Sequence, residues 1–359
     1  MVPGTFTKQP MKGLYTLIFI ADKLVRLPLL MILYIIPSFR QHSRYGYTKA
    51  IIVKAFNWYL HDAGVVEVKV HRTLAPGREG NRFVTIKPSS EYPGILSQDP
   101  AIVPTNIGAV WYPDVPSAAD LQKLVVLHIH GGAFLLGSAR IADAGTGCNR
   151  LSKNFGNAPV FALDYRLANE PGGKFPAALQ DSVTAYRYLL EDLNVDPRRI
   201  MVSGDSAGGH LAITLLRYIV ETPAANLPSP AAALLWSPWV DMVDTFERPN
   251  TDKDLIPDAL IQWSLRELPT ETFPPEHPYM STIRHPFKTV TPMWMCAGAT
   301  ERHYFRQVRF ASKMTRIAEN DVGFYGIPDL PHGFFPAPTN DIDLAYVDAQ
   351  KFVSEYVEF

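Results

Sequence analysis

Cysteine is nearly absent: the 359 residues hold two, Cys148 and Cys296. Two thiols this far apart do not make a disulfide scaffold. No Asn-x-Ser/Thr acceptor for a sugar occurs either. Both absences point to a reducing, intracellular setting. Net charge is also missing, since 34 Lys and Arg stand against 35 Asp and Glu. Without a dense basic patch, the footprint of a nucleic-acid partner is excluded. No Cys/His cluster has metal-ligand spacing, and Asp143-Ala144-Gly145-Thr146-Gly147 lacks a phosphate-loop pattern. No cofactor and no metal are expected.

An unbroken apolar run long enough to cross a bilayer is lacking too. Residues 14–36, LYTLIFIADKLVRLPLLMILYII, approach the ~20 residues a span needs. Asp22, Lys23 and Arg26 sit in the middle, each costing about 2.5–3.5 kcal/mol at a helix centre, and Pro28 interrupts the run further. No small-x-small cleavage site follows. Three readings stay open: a helix pair lying in a membrane surface, cytoplasmic or of the endoplasmic reticulum; a poor membrane span; or apolar helices that cover the protein's own active site.

What is present is a hydrophobic fraction of 47%, enough for a sizeable core. The length implies one large domain or two small ones. Short apolar runs alternate with helical patterns. Strands are expected at Val84–Lys87, Ile107–Tyr112, Leu124–Ile129, Val160–Leu163, Ile200–Ser203, Ala232–Trp236, Met293–Cys296 and Gly323–Ile327. Helices are expected at Pro176–Leu190, Ala207–Val220, Tyr304–Ala318 and Asp343–Val353. This alternation implies an α/β fold, a mostly parallel sheet with helices on both faces. Functional residues then gather at the carboxyl ends of the strands. Residues 1–60 and 238–290 break the alternation and are expected to form a cap, with residues 61–359 as the main domain.

Gly204-Asp205-Ser206-Ala207-Gly208 matches Gly-x-Ser-x-Gly between an expected strand and an expected helix, the context this nucleophile turn requires. A plain N-cap would explain Ser206 but not the glycines at 204, 208 and 209. His130-Gly131-Gly132-Ala133-Phe134 follows the strongest strand. It is either an ordinary tight turn or an oxyanion loop, in which the N–H groups of Gly132 and Ala133 would join that of Ala207.

These motifs resemble those of the hormone-sensitive-lipase-like branch of the α/β-hydrolases. HGGAF resembles its HGGGF box and Gly204–His210 its nucleophile box. Asp164-Tyr165-Arg166-Leu167-Ala168, Glu170 and Phe175–Ala178 resemble its intervening segment, read here as a brace for the oxyanion loop. The resemblance covers about residues 124–335. Ala133 replaces the third glycine, and Asn169 stands where proline is usual.

The resemblance implies an α/β-hydrolase fold and a triad in the order Ser, acid, His. His332, in Leu330-Pro331-His332-Gly333, stands where the branch presents its base. The acid is usually an aspartate after the penultimate strand, but residues 292–320 hold none. Glu301 fits the position; it also reads as a charge complementing a helix N-terminus.

The expected activity is hydrolysis of a carboxylic ester of a moderately apolar small molecule through an acyl-enzyme. Trp239, Trp263, Phe273 and Tyr279 of the cap are expected to line the substrate pocket. Acyl transfer, or the processing of a lactone, would use the same acyl-enzyme. A ligand receptor that has lost turnover is a third reading, against which His332 argues. Oligomeric state is not legible.

Overall fold

The computed structural model describes residues 5–89, 91–243, 253–335, 337 and 339–359. Eight strands form one sheet: β1 (Phe83–Ile86), β2 (Ile107–Tyr112), β3 (Val125–Ile129), β4 (Val160–Asp164), β5 (Ile200–Asp205), β6 (Ala232–Trp236), β7 (Met293–Gly298) and β8 (Val322–Ile327). Their order is β1-β2-β4-β3-β5-β6-β7-β8. β1 and β2 run antiparallel at one edge, and all pairs from β4 to β8 are parallel. Every residue of β2, β3, β4, β6 and β7 is buried. That burial explains why these segments read as continuous apolar runs rather than alternating ones.

Eight helices lie among the described residues: α1 (Met11–Leu33), α2 (Tyr47–Val66), α3 (Gly145–Asn154), α4 (Ala177–Arg187), α5 (Ala207–Glu221), α6 (Asp258–Glu267), α7 (Tyr304–Thr315) and α8 (Asn340–Val353). They divide the core in two. Val125, Leu127 and Ile129 of β3 pack with residues of α4, α5, α6 and α7. Leu124 and Val126 point the other way, into a core closed by α3 and α8.

The order of strands positions the site. From β3 the chain passes to β4 on one side, then crosses back to β5 on the other. The connections leave in opposite directions, which opens a crevice at the carboxyl ends of β3 and β5. Ile129 pairs with Gly204 across that point, so residues 130–134 and 205–207 emerge side by side.

All eight expected strands form, two with the expected bounds and six with ends shifted by one or two residues. Helices α2, α3 and α6 are not among the expected ones, whereas α1 falls on the apolar stretch 14–36, read as helical. α3 is rich in glycine and polar residues, and its buried face is made of small ones. They are needed for close approach: a Cβ on Gly147 would stand 2.4 Å from the Phe335 ring. α1 runs through Pro28 to Leu33, contrary to the expected interruption. Proline removes one bond to the carbonyl four residues back, here that of Leu24, an exposed residue.

α2 and α6 cross closely, since a Cβ on Gly64 would be 2.7 Å from the Ala259 carbonyl carbon. α1 is tied to α2 by the Tyr15 hydroxyl donating to Asp62 (2.5 Å). None of its residues is buried. No helix among the described residues is long and apolar enough to cross a membrane. Residues 244–252 of the expected cap insertion lie outside the described residues.

Candidate active site

Ser206 occupies the turn between β5 and α5 at φ +53°, ψ −114°, a conformation that costs a non-glycine residue about 1–3 kcal/mol. Its surroundings hold it there. Its N–H donates to Trp236 O (2.9 Å), and its carbonyl accepts from Trp239 N (3.0 Å) and His210 N (3.1 Å). The motif glycines are demanded by backbone contact. A Cβ on Gly204 would lie 2.3 Å from Gly208 O, and one on Gly208 would lie 1.9 Å from Ile129 O.

The loop after β3 folds against this turn through three successive left-handed residues: Gly132 (φ +110°), Ala133 (φ +55°) and Phe134 (φ +62°). Four bonds fix it. Gly131 N donates to Asp205 Oδ1 (3.0 Å), and the Tyr165 hydroxyl donates to His130 O (3.0 Å). Ala168 N donates to Phe134 O (2.7 Å), and Ser264 Oγ of α6 donates to Ala133 O (2.8 Å). The N–H groups of Gly132, Ala133 and Ala207 have no hydrogen-bond partner among the described residues. They stand free for an incoming negative oxygen.

His332 follows β8 and Glu301 follows β7. His332 Nε2 lies 2.7 Å from Ser206 Oγ, and Nδ1 lies 3.0 Å from Glu301 Oε2. The Glu301 carboxylate is saturated with donors. Oε1 accepts from Gly298 N (2.6 Å) and the Ser237 hydroxyl (2.5 Å); Oε2 also accepts from Gln307 Nε2 (3.1 Å). These partners accommodate the longer side chain where an aspartate is usual.

Burial works against a charged His332, but the hydrogen bond and charge of Glu301 and the charges of Asp254 and Asp205 outweigh it. The imidazole pKa is raised above its ordinary 6.5. Burial pushes the Asp205 carboxyl up to about 6, against the Gly131 N–H and His332, which pull it down.

The four cap aromatics are all buried. Trp239 adjoins the nucleophile turn and stacks on His303, ring centroids 6.0 Å apart. Trp263 precedes Ser264 on α6. Phe273 packs edge-on to Phe175 (5.0 Å), and Tyr279 lies under Arg217. A cavity of about 200 Å³ opens beside Gly131, Gly132, Asp205 and Gly333. A larger one, about 550 Å³, lies at the amino ends of β3 and β5 among Leu124, Ala158 and Arg199, the edge of the sheet remote from Ser206.

A family model described as an alpha/beta hydrolase fold matches residues 126–336, more than half the chain. This chain is an α/β-hydrolase. It belongs to the hormone-sensitive-lipase-like branch. The hydrolase is 33% identical over 191 residues to an acetyl-hydrolase of Streptomyces hygroscopicus, covering 52% of this chain and 59% of that one. It is 39% identical over 102 residues to an ethyl acetate hydrolase of Pseudomonas putida, covering 28% and 30%. A crystal structure of a hormone-sensitive lipase from a metagenome library matches with TM-score 0.58 at 27% identity, over 70% of this chain and 83% of that one. The hydrolase therefore spans less than two thirds of the length of these two curated relatives.

Several side chains around the triad escape sequence reasoning. Ser237 and Gln307 belong to no motif, and their tie to Glu301 exists only once β6, β7 and α7 are adjacent. His303 is buried between Trp239 and His332; burial and the nearby His332, Arg302 and Arg306 hold its pKa well below 6.5, so it is neutral. Its proximity to Glu301 in sequence was the one available signal. Asp205, the variable residue of the nucleophile motif, fastens the oxyanion loop.

Proposed function

We propose that this hydrolase cleaves a carboxylic ester of a moderately apolar small molecule through an acyl-enzyme. Ser206 Oγ attacks the carbonyl carbon while His332 Nε2 takes its proton. Glu301 holds the imidazole in the required tautomer and stabilises the imidazolium. The developing oxyanion is met by the N–H groups of Gly132, Ala133 and Ala207. The ester C–O bond then breaks, and His332 returns the proton to the leaving alcohol. Water, deprotonated by His332, releases the acid. The observation that carries this reading is the continuous Ser206–His332–Glu301 chain (2.7 and 3.0 Å) beside three unpaired N–H groups.

Relatives named acetyl-hydrolase and ethyl acetate hydrolase support a short acyl group. Trp239, with Phe134 and His303, supplies an apolar wall beside Ser206; Trp263, Phe273 and Tyr279 stand behind it as cap packing.

The test is turnover of p-nitrophenyl acetate, butyrate and octanoate, with intact-mass detection of a serine-directed phosphonate. Wild type takes one adduct. Ser206→Ala takes none and loses about 10⁶ in turnover, as removal of a triad nucleophile does. An adduct on another serine, or undiminished turnover, overturns the assignment.

We further propose that residues 14–36 attach the enzyme to a membrane surface. Leu17, Leu24 and Ile32 are each more than 60% exposed, while Asp22 and Lys23 turn toward the groove shared with α2. Such a helix lies in an interface rather than crossing it. Full-length protein should co-sediment with phosphatidylcholine vesicles, and Leu17→Ser with Leu24→Ser should release it. Protein that stays in the supernatant at every lipid concentration contradicts the proposal.

A further inference from the structure

The loops that carry the acid and the base are held together by a group outside the triad. Asp254 lies within the cap insertion, just before α6, and is fully buried. Its Oδ1 accepts the backbone N–H of His332 (2.8 Å). Its Oδ2 accepts the backbone N–H of Arg302 (2.9 Å), the residue after Glu301. One rigid carboxylate thus bridges the loop after β7 and the loop after β8. Leu255 N (2.7 Å) adds a third donor.

The turn that bears Asp254 is fastened from the N-terminal region. Asn57 of α2 donates its side-chain amide to Asp254 O (3.1 Å). Tyr45 donates its hydroxyl to Lys253 O (2.7 Å) and shares a hydrogen bond with Thr300 Oγ1 (2.6 Å). Arg302 pairs with Asp258 at the start of α6. Lys49 Nζ reaches Asp329 O (2.7 Å), on the base loop. The N-terminal region and the start of α6 therefore clasp the two triad loops.

A buried carboxylate without partners would be costly. This one has three backbone donors, and hydrogen bonds to a charged acceptor are roughly twice as strong as neutral ones. Burial raises its pKa against the pull of His332. We propose that Asp254 is a positioning residue of the active site: it sets the separation of His332 from Glu301 and adds a second carboxylate whose charge acts on His332. This rests on the triad reading above.

The consequence is electrostatic as well as geometric. The charges of Glu301, Asp254 and Asp205 act on His332 to raise its pKa, and the neutral His303 ring packs beside it. Removing the Asp254 charge takes away one influence that raises the imidazole pKa. The acid limb of kcat/KM reports that pKa in the free enzyme. In Asp254→Asn the limb should therefore move to lower pH. A purely structural role would lower the rate without moving the limb.

The experiment uses the full chain with p-nitrophenyl acetate. Asp254→Asn should reduce kcat 10- to 100-fold with KM changed less than threefold, and should shift the acid limb down by a readable fraction of a pH unit. Asn57→Ala, which keeps the charge and loosens only the turn, should lower kcat several-fold with the limb in place. It also serves if Asp254→Asn does not fold. Phosphonate labelling of Ser206 and the activity of Glu301→Gln are measured alongside. If both support the triad while Asp254→Asn and Asn57→Ala behave as wild type, the role of Asp254 is overturned and the triad stands. If Ser206 takes no label and Glu301→Gln is fully active, both readings fall together.

Discussion

The backbone N–H of Gly131 donates to Oδ1 of Asp205 at 3.0 Å. That bond joins the loop after β3 to the turn that bears Ser206, the two segments that act on one carbonyl group in the proposed reaction. Asparagine keeps an Oδ1 acceptor; alanine does not. Asp205→Asn should keep turnover within about tenfold, whereas Asp205→Ala should lose about 10²–10³, the range seen when an oxyanion donor is removed. Equal activity of the two variants would show that the bond does not hold the loop. Stability adds a second reading. The Asp205 carboxyl is raised from an ordinary 3.8 to about 6, so between these values the folded state binds more protons and stability falls as pH rises. Relative to wild type, Asp205→Asn should gain melting temperature at pH 8 and not at pH 4.

Glu301 is contested by neighbouring carboxyl groups in sequence, and the structure separates them. Glu319 is exposed and paired with Lys288 (2.8 Å), and Asp321 accepts from Tyr356 at the surface. Glu301→Gln should reduce turnover about 10²–10⁴-fold; in the worked serine-protease case, replacing the acid by its amide costs about 10⁴. Glu319→Gln and Asp321→Asn should match wild type. A normal Glu301→Gln beside a dead Glu319→Gln would reassign the acid.

His332 links activity to pH. Its folded pKa lies above the ordinary 6.5, and a general base must be neutral to accept the serine proton. kcat/KM for a neutral ester should fall as pH drops through a value above 6.5. The contribution of His332 to stability runs the other way: it is present below 6.5 and is lost as pH rises through the folded value. His332→Gln should abolish turnover and remove that part of the pH dependence of melting. An acid limb well below 6.5 contradicts the arrangement.

Arg166 ties the segment after β4 to α4 and to the chain before β2. It is buried, its Nη2 reaches Asp181 Oδ1 (2.7 Å) and Gln180 Oε1 (2.8 Å), and its Nη1 donates to Val103 O (2.8 Å). Breaking a buried pair by removing one partner costs about 3–5 kcal/mol. Arg166→Ala should therefore melt about 10 °C lower. Lysine cannot reproduce the forked geometry, so Arg166→Lys should recover little of the loss. A melting temperature within about 2 °C of wild type for either variant refutes the contribution of this tie.

Local rules written in the chain determined the sheet and the tight turn that carries Ser206. Strands buried on both faces must be continuously apolar, so β2 to β7 announced themselves. Gly204 and Gly208 flank Ser206 because backbone contacts leave no room for a Cβ, which makes the motif a statement about sterics at short range. α2, α3 and α6 obey no such local rule: their burial is set by what packs on them, as Gly64 against Ala259 and Gly147 against Phe335 illustrate. The same holds for the supports of the triad. Ser237, Gln307 and Asp254 lie 64, 6 and 48 to 78 residues from the groups they bind. Only Gln307 is near its partner in the chain, and nothing in its spacing distinguishes it from a surface helix residue. A hydrogen bond between distant residues depends on the crossing of elements, and only the folded arrangement of β6, β7, α7 and the cap decides which side chains meet.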